Sequence, residues 1–193
     1  QAGSIALFGN EPWALRTVSA LVGTLTILGV FLAARELFNP LSNTLQTAQA
    51  LPDRELLAAM EQEKTAHATY IALLSSFFIA TSYWHLNFSR IGFRAIMVPL
   101  LASFGIYFLL KGLREKRIWT LIFAGLFAGL GFYTYTAFRF MPFVFVIPLL
   151  FYLFSRRRKR SSAPEKKSLT RLCTPCAVTL FLFITFVTAL PIG

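Results

Sequence analysis

Ile118–Phe138 reads IWTLIFAGLFAGLGFYTYTAF, 21 consecutive residues without a charge, closed by Lys116-Arg117 on one side and Arg139 on the other. At about 1.5 Å of rise per residue, a helix of this length spans roughly 30 Å, the thickness of a bilayer's hydrocarbon core. Backbone amides in hydrocarbon must find their partners inside the segment, so the stretch reads as a transmembrane helix. Within it, Gly125-x-x-x-Gly129, with Ala128 and Gly131 nearby, forms a flat face. Small residues of this kind let helix backbones approach closely in lipid, which predicts a neighbouring helix against Gly125 and Gly129.

Working outward, further runs free of acidic and basic residues are Thr17–Ala34, Thr65–Ser89, Ala95–Leu110, Phe140–Ser155 and Leu172–Gly193. With their flanks they give spans near 13–38, 65–88, 94–111, 118–138, 139–155 and 172–191. Ala95–Leu110 and Phe140–Ser155 are short, but Lys and Arg at their ends can extend aliphatic stems along the apolar surface. Pro99, Pro142 and Pro148 are tolerable where neighbouring helices cover the freed carbonyls. Strict alternation over ten-residue units is missing, which argues against a β-barrel. The fold class is all-α: a polytopic membrane helix bundle of about six transmembrane helices, with residues 1–193 forming part of a transmembrane domain.

Composition agrees. The chain is 56% apolar and 14% charged, against roughly a quarter charged in soluble domains. A water-soluble fold of this size could not hide so much apolar surface. A net charge of +11 on a soluble chain would suggest nucleic acid. Here the charges sit in short clusters between apolar runs, as topology signals do, so no nucleic-acid partner is read. Cys173 and Cys176 lack both a second ligand pair and a thioredoxin-like context, so no redox or metal role follows. The chain opens on Gln1 without a basic-then-apolar leader and stops at Pro191-Ile192-Gly193 as an apolar segment ends. It is expected to be an internal piece of a longer protein.

Direction follows from the basic residues. One set of connections holds Arg35, Arg54 and Lys64, then Lys111, Arg114, Lys116 and Arg117, then Arg156 to Arg160, Lys166, Lys167 and Arg171. The alternate set holds only Arg16, Arg90, Arg94 and Arg139, four of the chain's 19. The positive-inside rule makes the first set cytoplasmic, including 39–64 and 155–171, and puts the N-terminal edge outside. Asp53–Glu63 reads as a short amphipathic helix after Pro52, lying on the membrane surface with Leu56, Leu57 and Met60 facing apolar material. Arg156–Arg171 serves topology and attraction to anionic membrane lipids.

The outer ends of the spans carry the chemistry. Tyr83–Arg94 packs His85, Asn87, Arg90 and Arg94 between aromatics, and a second turn, Gly131–Arg139, carries Tyr133, Tyr135 and Arg139. Arg16 lies one turn into the first span. Taken singly, an interfacial Arg is often a phospholipid anchor, Trp and Tyr belts are generic, and His85 alone reads as a satisfied interfacial histidine. Together, four outward Arg with hydroxyl-bearing aromatics suit an anionic head group on a lipid tail. Guanidinium binds phosphate oxygens bidentately, and Tyr stacks on or hydrogen-bonds to a sugar. The candidate substrate-binding residues are therefore Arg90, Arg94, Arg139, Arg16, His85, Asn87, Tyr133 and Tyr135.

The run Glu11–Thr26, EPWALRTVSALVGTLT, resembles the second span of GT-C glycosyltransferases, in the branch of protein O-mannosyltransferases and lipid A aminoarabinose transferases (family 39). Trp84–Arg90 and Tyr133–Pro142 resemble later outer turns of the same family, and the connection Ser42–Thr65 is longer than the resemblance leads one to expect. The resemblance implies a hexosyl- or pentosyltransferase of a bacterial cytoplasmic membrane. It would move a sugar, with inversion, from a polyprenyl-phosphate donor to a hydroxyl of a lipid, glycan or protein acceptor on the outer face. No cofactor is identified, and the sequence supports no divalent metal. In that family a carboxylate of the first outer loop is the general base on the acceptor hydroxyl, while positive charge stabilises the leaving phosphate. Of the eight acids, the topology leaves only Glu11 outside, just before a span, and the role is not carried over to it. No catalytic residue is assigned; the base is expected upstream, and residues 1–193 alone are expected to be inactive. A transporter or flippase of a lipid-linked or anionic substrate is the alternative. It should show midplane charges or paired broken helices, and no charge lies near the middle of any span.

Overall fold

Small side chains hold the first helix pair together. The computed structural model describes residues 12–38, 54–91, 94–115, 117–135, 138, 140–142, 144–147, 150 and 174–190. The chain divides into two compact units, Gln1–Ile96 and Met97–Gly193. In the first, α1 (Pro12–Phe38) packs against α2 (Arg54–Thr81). Ser19 and Thr26 of α1 are buried, as are Ala68, Ala72 and Ser76 of α2, and Gly23 lies between the first two. Successive spacings of three or four put each set on one helix face. The large side chains point elsewhere: Leu21, Leu25 and Leu28 on α1, and Tyr70, Leu74, Phe77 and Phe78 on α2, are exposed. Exposure to water would cost about 25 cal/mol per Å² of such surface. In lipid, which is as apolar as leucine, close packing of small residues is what remains to hold helices together.

The hydroxyls of these helices are satisfied locally. Thr24 and Thr26 donate to the carbonyls of Ala20 and Val22. In α2, Thr65, Thr69, Ser75, Ser76 and Thr81 donate to Gln62, Thr65, Ile71, Leu73 and Phe77. All are bonds back to the preceding turn.

Two expectations change at α2. The surface-lying helix read at Asp53–Glu63 is not a separate element, because Arg54–Thr81 is one helix of 28 residues. Charge stops at Lys64, but nothing there breaks the backbone hydrogen-bond ladder. At the other end, the span read as 65–88 is interrupted. α2 stops at Thr81, Ser82 is non-helical, and α3 (Tyr83–Ile91) begins with Leu86 N–H donating to the Ser82 carbonyl at 3.0 Å. A 3₁₀ turn, Arg94–Ile96, follows and touches both α3 and α1.

In the second unit, α4 (Met97–Glu115) and α5 (Ile118–Gly131) form a hairpin, and α6 (Thr174–Ala189) packs on α5. Leu109, Leu113, Leu121, Ala124 and Ala128 fill the α4–α5 core. Gly112 permits the close turn: a Cβ there would come within 2.9 Å of Leu121. Gly125 sits under Ile184 and the Phe181 carbonyl, and Gly129 under Thr188 and the Thr185 carbonyl. The neighbouring helix predicted against this glycine pair is α6.

Among the described residues there is no strand. α1 and α4 are long and apolar enough to cross a bilayer, and Thr65–Thr81, Ile118–Gly131 and Cys176–Ala189 are shorter apolar helices. The architecture is a membrane helix bundle. Within the span read at 118–138, the α-helix runs Ile118–Gly131 and residues 132–134 form a turn. Residues 141–142 and 144–147 of the fifth are helical. The connections 39–53 and 151–173, with the basic cluster and Cys173, lie outside the described residues.

Candidate functional site

The sequence-predicted site residues fall in both units. In the first, Arg16 is exposed two turns before Gly23 on α1, while α3 carries His85, Asn87 and Arg90. α3 is docked by one face. His85 Nε2 lies 3.1 Å from the Gly23 carbonyl oxygen. A carbonyl only accepts, so Nε2 carries the proton and donates. Four residues on, Ser89 covers the same glycine: a Cβ at position 23 would lie 3.0 Å from Ser89 Cβ and 3.6 Å from His85 Nε2. Gly23 is thus the notch that receives α3. Ser89 also donates its hydroxyl to the Leu86 carbonyl at 2.8 Å.

Away from that face, Tyr83 and Trp84 meet edge to face at 6.1 Å, and Trp84 tilts over Phe88 at 5.8 Å. Asn87 is half-buried, and Arg90 is exposed in the last turn of the helix. A cation there is favoured by the negative end of the helix dipole. Arg94 lies beyond that end, at the start of the 3₁₀ turn, so the dipole of α3 gives no reason for it. Its side chain lies outside the described residues.

In the second unit, the chain leaves α5 through successive tight bonds. Phe132, Tyr133 and Thr134 N–H donate to Gly129, Leu130 and Gly131 carbonyls, each at 3.1 Å. Phe138 then folds back, fully buried, against Gly131, where a Cβ could not fit, and meets Phe132 edge-on at 5.6 Å. This anchor leaves Tyr133 and Tyr135 exposed on the turn. The Tyr133 hydroxyl donates to the Thr188 carbonyl at 2.9 Å. What remains for a sugar is the ring face and the oxygen's lone pairs. Arg139 lies outside the described residues.

Sequence reading missed the partners of these groups: Gly23 for His85, and Thr188 for Tyr133. They are 62 and 55 residues away in the chain, and no local pattern signals them. At the opposite end of α4 the basic residues keep local company. Lys111 Nζ reaches the Tyr107 hydroxyl at 3.1 Å, and Arg114 and Arg117 each lie 3.8 Å from Glu115.

The model of one protein family, dolichyl-phosphate-mannose-protein mannosyltransferase, matches residues 59–188. That is more than half of the chain. The chain belongs to this family. It is therefore a mannosyltransferase-type glycosyltransferase of the membrane, in a family defined by a dolichyl-phosphate sugar as donor and protein as acceptor. The matched stretch takes in α3, the 3₁₀ turn and the Tyr133–Pro142 turn, so seven of the eight predicted site residues lie inside it; Arg16 lies before it. No curated protein and no solved structure matches the chain.

Proposed function

We propose that this glycosyltransferase takes its sugar from a polyprenyl-phosphate donor and delivers it, with inversion, to an acceptor hydroxyl on the outer face of a cytoplasmic membrane, and that Arg90 and Arg94 hold the donor phosphate. The observation that carries the reading is the exposed Arg90 at the end of α3, four residues before Arg94, within the family match. Two arginines four residues apart in sequence, one in the last turn of α3 and one opening the 3₁₀ turn, would offer bidentate donors to a phosphate ester. They would stabilise the charge that develops as polyprenyl phosphate leaves.

Asn87, Tyr133, Tyr135, Arg16 and Arg139 are each proposed as substrate contacts on their own chemistry, the arginines as positive charge and the others as hydrogen-bonding groups. The topology that puts these groups outside is the one given by the basic residues, with 39–64 and 155–171 cytoplasmic. Under it Glu11 is the one outer carboxylate of the eight acids. It precedes α1 directly, and the general base is assigned to no residue of this chain. A transporter should show charge near the middle of a span or paired broken helices; the apolar runs carry no such charge, and the interruption at Ser82 is a single break among the described residues rather than a matched pair.

The test is photo-crosslinking of the intact protein in membranes with a polyprenyl phosphate carrying a photoreactive group close to the phosphate. Labelling within 83–96, competed by unmodified donor and lost in Arg90→Ala/Arg94→Ala, is the expected result. Equal labelling of wild type and double variant would overturn the site.

A further inference from the structure

α3 is a helix of nine residues, too short to be stable on its own propensity. Its orientation must come from what it rests on, and what it rests on is specific. One long-range hydrogen bond, His85 Nε2 to the Gly23 carbonyl at 3.1 Å, and one close steric fit, Ser89 over Gly23, use residues i and i+4 of the same helix face. Arg90 follows Ser89 directly and stands exposed. A rotation or slide of α3 on α1 would carry Arg90 with it, because the two side chains start one residue apart on one rigid turn.

We infer that His85 is a positioning residue, and that the Gly23 notch with His85 and Ser89 fixes α3 so that Arg90 is presented to the donor phosphate. His85 then acts through hydrogen-bond donation to backbone, without proton transfer to or from substrate. The half of this inference that concerns donor binding rests on the reading of Arg90 proposed above; the docking half does not.

The two halves separate in experiment. Docking is read by thermal unfolding of the intact protein in detergent. Gly23→Ala pushes a methyl against Ser89 Cβ, and Ser89→Gly removes that atom. The pair should be coupled, with Gly23→Ala costing markedly less in the Ser89→Gly background than in wild type. Donor binding is read by KM. Gly23→Ala and His85→Leu should each raise the donor KM about three- to tenfold, the scale of one lost hydrogen bond, and lower kcat as well, because a displaced Arg90 no longer meets the charge that develops on the leaving phosphate. His85→Gln keeps an N–H donor in nearly the same place and should restore KM to near wild type with an unaltered pH profile.

Additive stability effects of Gly23→Ala and Ser89→Gly would overturn the docking and leave the phosphate reading untouched. Coupled stability with an unmoved donor KM would overturn the link from α3 to the donor. In that case Arg90→Ala decides the phosphate reading separately. A His85→Gln variant as impaired as His85→Leu, with one limb of the pH–rate profile lost, would make His85 a proton-transfer group and also overturn the inference.

Discussion

The Tyr133 hydroxyl donates to the main-chain carbonyl of Thr188 at 2.9 Å, joining the turn after α5 to the last turn of α6. Carbonyls in the last turn of a helix lack intrahelical partners, so this bond satisfies an acceptor that lipid could not. Tyr133→Phe should lower stability by about 1 kcal/mol, read as a lower unfolding midpoint of the detergent-solubilised protein. Donor KM should stay near wild type in Tyr133→Phe, because the ring face remains, and should rise in Tyr133→Ala. An unchanged midpoint in Tyr133→Phe would show that the bond contributes nothing.

Gly125 and Gly129 lie against α6 with no room for a side chain. Leucine at either position must push the helices apart or distort them, at about 1–3 kcal/mol each by analogy with overpacked cores. Both variants should unfold at lower temperature than wild type, while Leu126→Ala, on an exposed position between them, should be close to neutral. Wild-type midpoints for both glycine variants would refute the close α5–α6 contact.

Arg90 and Arg94 separate a phosphate site from a lipid anchor by the Lys replacement. Alanine at either position should cut sugar transfer by at least tenfold in protein that still inserts, on the scale of a lost charge-assisted hydrogen bond. Lysine keeps the charge but loses the fork of donors, so it should recover only part of the loss. Full activity in both Lys variants and a mild effect of Ala would mean that the two arginines only hold headgroups.

Topology is open to direct labelling. Cysteine introduced in 156–167 of a cysteine-free protein should react with a membrane-impermeant maleimide only after permeabilisation, and cysteine near position 90 should react without it. The reverse pattern at either position would invert the orientation and remove the outer-face site with it.

Much of the helical architecture was legible because the sequence states what each segment is dissolved in. Uncharged runs bounded by Arg and Lys give α1, α4, α5 and α6, and Gly125-x-x-x-Gly129 points to a packed face. What charge does not report is where the backbone ladder ends. The transition from Glu63 and Lys64 to Thr65 marks a change of solvent, and α2 runs through it unbroken. At Thr81–Tyr83 the helix does break, without the Gly or Pro that usually announces it. The site divides in the same way. Arg90 and Arg94 stand out because charge beside apolar runs is conspicuous. The support of α3 was hidden, since Gly23 looks like any small residue of a span until His85 and Ser89 are laid over it.

The hydroxyls of α2 have a consequence for how this chain enters a bilayer. Thr65–Thr81 carries five Ser and Thr residues in 17 positions, and each donates to a carbonyl of its own helix. A residue-by-residue transfer scale charges such groups as if each gave up a bond to water for nothing, when the bond is replaced inside the segment before the segment meets lipid. The segment should therefore partition into the membrane more readily than its composition suggests. Replacing its threonines by valine would gain less insertion free energy than the same replacements in a helix whose hydroxyls faced a pore.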